Sequence, residues 1–167
     1  HCLLEEHGPG AIGNPVGIIT EVQTEIIRQA KRFLEHVGYV GFSNFDIKYD
    51  PRDGSYNFFE INIRLGRSNF YVTASGFNTV KYLVDDYVYG KPVSPCIADK
   101  EHLYLVVPKG ILLRYIKDDA LKARVKRLIK EKKYTNPYLY KEDRGLMRRI
   151  HVWMMLLNYY RKYHRYG

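Results

Sequence analysis

"GFSNFDIKYDPRDGSYNFFEINIRLGRSN", residues 41–69, holds two runs of alternating residues around a turn-forming segment, Pro51 to Gly54. Phe45, Ile47 and Tyr49 alternate with Asn44, Asp46 and Lys48, and the second run sets bulky apolar residues against Glu60, Asn62 and Arg64. Period-two alternation on both sides of a Pro/Asp/Gly turn predicts an antiparallel β-hairpin. With the turn centred near Asp53, Asp46 opposes Glu60, Asn62 lies one step along on the same face, and Arg64 comes next. Phe59, Ile61 and Ile63 are then expected on the other, packed face.

Two carboxylates opposed across strands repel, costing an exposed hairpin up to about 1 kcal/mol. A divalent magnesium ion would offset this, since it takes hard oxygen ligands and often uses one or two carboxylates with water and phosphate oxygens. Asn62 can add a neutral oxygen, and the planar fork of Arg64 suits a phosphate or acyl phosphate. From the pattern alone a second reading stays open, in which Asp46, Glu60 and Arg64 form an ordinary surface salt-bridge network.

Outward from the hairpin, Ile26, Ala30, Phe33, Leu34 and Val37 recur at helical spacing before Gly38, which predicts a helix over about residues 22–37 with a glycine C-cap. Residues 1–20 read as strand, Gly/Pro/Asn loop, strand. Asn78 is placed to cap a helix that turns Val80, Leu83, Val84, Tyr87 and Val88 inward and stops at "YGKP", residues 89–92. "HLYLVVP" (102–108) predicts a strand that continues through "ILLRYI" (111–116). "DDALKARVKRLIKEKK" (118–133) and the last segment read as helical, with Ile150, Trp153, Met154, Leu157 and Tyr160 on one face, expected to pack against protein. The fold class is α+β: an antiparallel sheet with flanking helices over residues 1–108, then a mostly helical basic extension over 109–167.

The 167 residues suffice for one ordinary domain, and 46% hydrophobic content is enough for a core. No long uncharged apolar run and no leader pattern occur, so the chain reads as soluble and cytoplasmic. Cys2 and Cys96 are too few for a disulfide framework or a thiolate metal site. The net charge of +9 is uneven: 10 Lys/Arg against 13 Asp/Glu up to Pro108, and 17 against 5 from Lys109 onward. His102, His151 and His164 have no zinc-ligand spacing.

"GFSNFDIKYD" with "GSYNFFEINIRLGRSN" resembles the metal-binding end of the ATP-grasp superfamily, where an acidic or amide residue on one strand and an E-x-N-x-R segment on the next hold magnesium-ATP. The continuation through "KYLVDDYVYGKP" is similar to the corresponding segment of carbamoyl-phosphate synthetase, and "LLEEHGPGAIGN" with the basic tail to carboxylate–amine ligases of the D-aspartate ligase type. The resemblance covers about residues 1–92. It implies that Asp46, Glu60 and Asn62 hold magnesium, with manganese an acceptable substitute. It further implies that Arg64 stabilises phosphoryl transfer and that Phe59, Arg64 and Ser68 contact ATP. His7 and Asn14 would line the acceptor side, where turn chemistry explains the same residues equally well. Ile63 stands where the family commonly has Pro or Thr, which leaves the ligands in place.

The lysines, glycine-rich lid and adenine-binding hinge of an ATP-grasp enzyme do not precede His1, so the chain is expected to be a C-terminal fragment that is inactive alone. The activity implied is activation of a carboxylate as an acyl phosphate and its capture by an amine. The competing function is a non-catalytic module whose basic tail engages an anionic membrane or nucleic acid. No nucleic-acid-binding signature accompanies the tail, so nucleic acid is not expected as a partner, whereas a homo-oligomer and peripheral contact with an anionic membrane remain open.

Overall fold

The computed structural model describes residues 1–140, 142–143 and 145–167. The elements run β1 (Cys2–Glu5), β2 (Pro15–Ile19), α1 (Thr24–His36), β3 (Asn44–Asp50), β4 (Ser55–Asn62), α2 (Phe70–Ala74), α3 (Thr79–Tyr87), β5 (Leu103–Leu105), α4 (Lys109–Tyr115), α5 (Asp119–Lys130), β6 (Tyr134–Thr135) and α6 (Leu146–Tyr166). The class is α+β. Two compact units form, one from residues 1–21 with 70–167 and one from residues 22–69.

The larger unit is built on a four-stranded sheet of order β1-β2-β5-β6. β1, β2 and β5 pair antiparallel, but β5 and β6 are parallel, so the sheet is mixed where the sequence predicts an antiparallel one. The reason lies in the connection: α4 and α5 intervene between β5 and β6, and a helical crossover returns the chain in its original direction. Val16 to Ile19 and Leu103 to Leu105 are buried at every position, as expected of central strands covered on both faces. Leu103, Ile19, Leu112, Val125 and Leu128 form the innermost part of the core.

"ILLRYI" corrects one expectation, because it lies in α4 and its cap instead of prolonging a strand. Pro108 stands at the N-cap with φ −54°, and its carbonyl accepts the Ile111 and Leu112 N–H groups. Proline's fixed φ favours helix initiation and removes a strand donor. The helix buries Ile111 and Leu112. Leu112 lies so close to β2 that a Cβ on Gly17 would sit 2.8 Å from its Cδ1.

α5 forms as predicted. The Asp118 side chain accepts the Leu121 N–H as an N-cap, and Val125 and Leu128 face the core. Arg124 bridges Glu21 and Glu101, and Arg127 also holds Glu101, tying α5 to the segments beside β2 and β5. Asn78 caps α3 as anticipated, accepting from Val80 and Lys81 N–H. Its apolar side is only partly covered, however: Val80, Leu83, Tyr87 and Val88 are exposed.

α6 corrects a second expectation. Val152, Tyr159 and Tyr163 enter the core, the Tyr163 hydroxyl donating to Glu5 O at 2.6 Å. The face with Ile150, Trp153, Met154, Leu157 and Tyr160 points outward, and Trp153 is 64% exposed. Both sides of this helix are apolar, and the tyrosine side won because its rings pack while the Tyr163 hydroxyl reaches a polar partner.

In the smaller unit α1 ends where Gly38 adopts φ +63° and donates to Glu35 O, a backbone conformation that costs glycine least. Phe33 of α1 meets Phe45 edge-on at 6.1 Å, and Phe45 meets Phe58 at 5.6 Å. No residue of this unit is fully buried.

Candidate functional site

The hairpin of β3 and β4 pairs Asn44 with Asn62, Phe45 with Ile61 and Asp46 with Glu60, the predicted register. Between Asp46 and Ile47 the ladder shifts, so that Ile47 pairs with Phe58 and Phe59 is the extra residue of a β-bulge. The bulge changes the parity of the strand. Phe58, not Phe59, joins Phe45 and Ile61 on the packed side, and Phe59 stands 68% exposed. Ile63, expected on the packed face, is exposed as well, because β4 ends at Asn62.

On the other face the two carboxylates are each met by a neighbouring amide. Asn44 Nδ2 donates to Asp46 Oδ1 at 3.4 Å, and Asn62 Nδ2 donates to Glu60 Oε1 at 2.9 Å. Among the described residues neither carboxylate has a Lys or Arg ion partner, so the salt-bridge network that the pattern left open does not form. Arg64 lies beyond the end of the strand, where alternation no longer fixes its direction, and its Nη1 donates to Leu65 O at 3.3 Å. It is therefore exposed beside the acidic face, not the next rung on it.

Ser68 is half-buried in the turn that follows, which closes with Asn69 N–H donating to Gly66 O at 3.1 Å. Gly66 approaches the face closely: a Cβ there would lie 2.9 Å from Asn44 Oδ1. Asn44 and Gly66 were not singled out from sequence, although the alternation around Asp46 already put Asn44 on the acidic face. Gln29 and Phe33 of α1, with Phe45 of β3 and Phe58 to Ile61 of β4, line a groove of about 420 Å³.

The donor set suits a hard divalent cation. It offers two opposed carboxylates and two amide oxygens, with no thiolate or imidazole. No group of three or more His, Cys, Asp or Glu gathers among the described residues. An ion here would thus rest on one or two carboxylates and take its remaining ligands from water and phosphate, which is how magnesium is usually held. His7 and Asn14 have local roles: His7 packs against the Tyr115 and Tyr163 rings, and Asn14 Nδ2 donates to Ala11 O.

Residues 11–84 match the family "Carbamoyl-phosphate synthase L chain, ATP binding domain", a span that contains the whole hairpin. The D-aspartate ligase of Enterococcus faecium (strain Aus0004) is 40% identical over 171 aligned residues. That alignment takes in 99% of this chain and 41% of the relative, so the chain spans less than half the length of the curated relative it matches. No solved structure gives a significant match. The hairpin with its opposed acids lies inside the family match and the similarity to the ligase takes in nearly the whole chain, so the chain is similar to ATP-grasp carboxylate–amine ligases.

Proposed function

We propose that this chain carries the metal-binding end of an ATP-dependent carboxylate–amine ligase. The observation that carries the reading is the Asp46–Glu60 pair, two carboxylates opposed in register with no Lys or Arg ion partner among the described residues. Asp46 and Glu60, with the amide oxygen of Asn62, hold magnesium or manganese, and Asn44 orients Asp46 through its amide. The metal supplies charge neutralisation for ATP phosphates. Arg64 lies two residues past the strand, exposed, and exchanges its bond to Leu65 O for a transferring phosphoryl group. Ser68, in the turn closed by Gly66 and Asn69, is near enough in sequence to donate to the same phosphates, and exposed Phe59 offers a ring to the adenine.

In the reaction, an oxygen of the substrate carboxylate attacks the γ-phosphorus and ADP leaves. An amine nitrogen then attacks the acyl carbon, phosphate leaves, and an amide remains once the nitrogen has lost a proton. The protein's contribution is positioning and charge stabilisation. The relative's name points to D-aspartate as the carboxylate donor.

The test is phosphate release by the intact protein with magnesium-ATP, D-aspartate and hydroxylamine as trapping amine, alongside Asp46→Ala and Glu60→Ala variants. Hydroxamate formation that requires D-aspartate and collapses in both variants is the expected result. Equal turnover in the variants refutes the site, and turnover with another acid in place of D-aspartate refutes the donor.

A further inference from the structure

α6 turns one apolar side into the core and a second one to solvent. Met147, Ile150, Met154 and Leu157 follow each other at spacings of three, four and three, so they form one stripe along the helix, with Trp153 at its flank. All five are exposed, Trp153 by 64%, Leu157 by 60% and Met154 by 56%. The stripe is about 15 Å long at 1.5 Å per residue. Such a stripe on a helix anchored from behind by Val152, Tyr159 and Tyr163 is a preformed surface, not a frayed end.

Its chemistry says what it meets. α6 carries five Lys/Arg and no Asp/Glu. Two of these cations are engaged, Arg148 with Asp143 and Lys162 with Glu6, while Arg149, Arg161 and Arg165 have no carboxylate partner among the described residues. Arg161 continues the stripe one turn beyond Leu157, and Arg165 follows it a turn later, so the apolar surface runs into a cationic end. A second copy packed with its helix parallel would set Arg161 and Arg165 of one helix against those of the other, an unfavourable match. An anionic lipid surface accepts both parts, apolar side chains at the acyl boundary and guanidinium groups at the head groups.

We infer that the outer face of α6 is a docking surface for an anionic lipid bilayer, on which the helix lies flat. No helix among the described residues is long and apolar enough to cross a membrane, and this mode of contact needs none. The inference does not depend on the ligase reading.

Trp153 is the sole tryptophan of the chain, so its fluorescence reports on this face directly. Residues 1–167 and the intact protein are mixed with vesicles of phosphatidylcholine alone or with phosphatidylglycerol added, at low and high salt. Co-sedimentation should occur with the anionic vesicles only and weaken at high salt, with Trp153 emission moving to the blue and becoming shielded from a soluble quencher. Removing two cations by Arg161→Gln with Arg165→Gln should lower partitioning about 30-fold, equivalent to about 1 kcal/mol for each. Met154→Glu with Leu157→Glu should abolish binding while the far-ultraviolet circular dichroism stays unchanged, since both positions are exposed. Equal binding to neutral vesicles, full binding by the Glu variant, or a Trp153 already shielded without lipid by another protein surface or a second copy would each overturn the inference.

Discussion

Replacing Glu60 by Gln removes one of the two charges in the Asp46–Glu60 pair while keeping its length and its bond from Asn62. Like charges directly opposed on a strand pair destabilise by roughly 0.2–1 kcal/mol, so without metal the variant should be the more stable hairpin by that amount. The smaller unit has no fully buried residue to mask the effect. Magnesium at ten times its dissociation constant stabilises the form that binds it by about 1.4 kcal/mol. The order of stability should therefore invert: Glu60→Gln above wild type in a chelator, below it in saturating magnesium. Amide hydrogen exchange of Phe45 to Ile47 and Phe58 to Ile61, measured at matched ionic strength, reads both arms. A variant less protected than wild type in chelator, or one whose protection rises with magnesium as much as wild type, would refute the reasoning.

Gly17→Ala should destabilise by about 1–3 kcal/mol, because its Cβ meets buried Leu112 at 2.8 Å; in urea denaturation, Leu112→Ala should relieve that strain, so the double variant loses less than the sum of the two single losses. Stability should also fall with acid in two stages. Burial pushes the His102 imidazole below its ordinary 6.5, so the unfolded chain binds the proton more readily and stability is lost as pH drops below that value. Burial opposes ionisation of Glu101, but hydrogen bonds from Arg124 and Arg127 outweigh it and hold its carboxyl below the ordinary 4.5. That contribution is present above 4.5 and is lost as pH falls through the lowered value, a loss that urea titrations of Glu101→Gln should not show.

The hairpin and its register from Asn44 to Asp46 were legible from the turn residues and the alternation on either side, and with them came the Asp46–Glu60 opposition. The bulge was not, because Phe58 and Phe59 are adjacent and either ring could satisfy the packed face. α4 was misread for a similar reason: "ILLRYI" is a short apolar run that suits strand or helix, and Pro108, which decides the matter, acts through its fixed φ and missing donor. In α6, apolar residues occupy both sides, so periodicity identified a helix without choosing its buried face. The parallel pairing of β5 with β6 depends on a crossover that no local pattern encodes.

Paramagnetic broadening of amide resonances by manganese, with ATP present, tests the metal-site assignment most directly. The account predicts selective loss of signal at Asn44 to Asp46 and Glu60 to Asn62, reversed by excess magnesium and absent in Asp46→Ala with Glu60→Ala. Broadening that leaves these residues untouched, or that persists unchanged in the double variant, would contradict it.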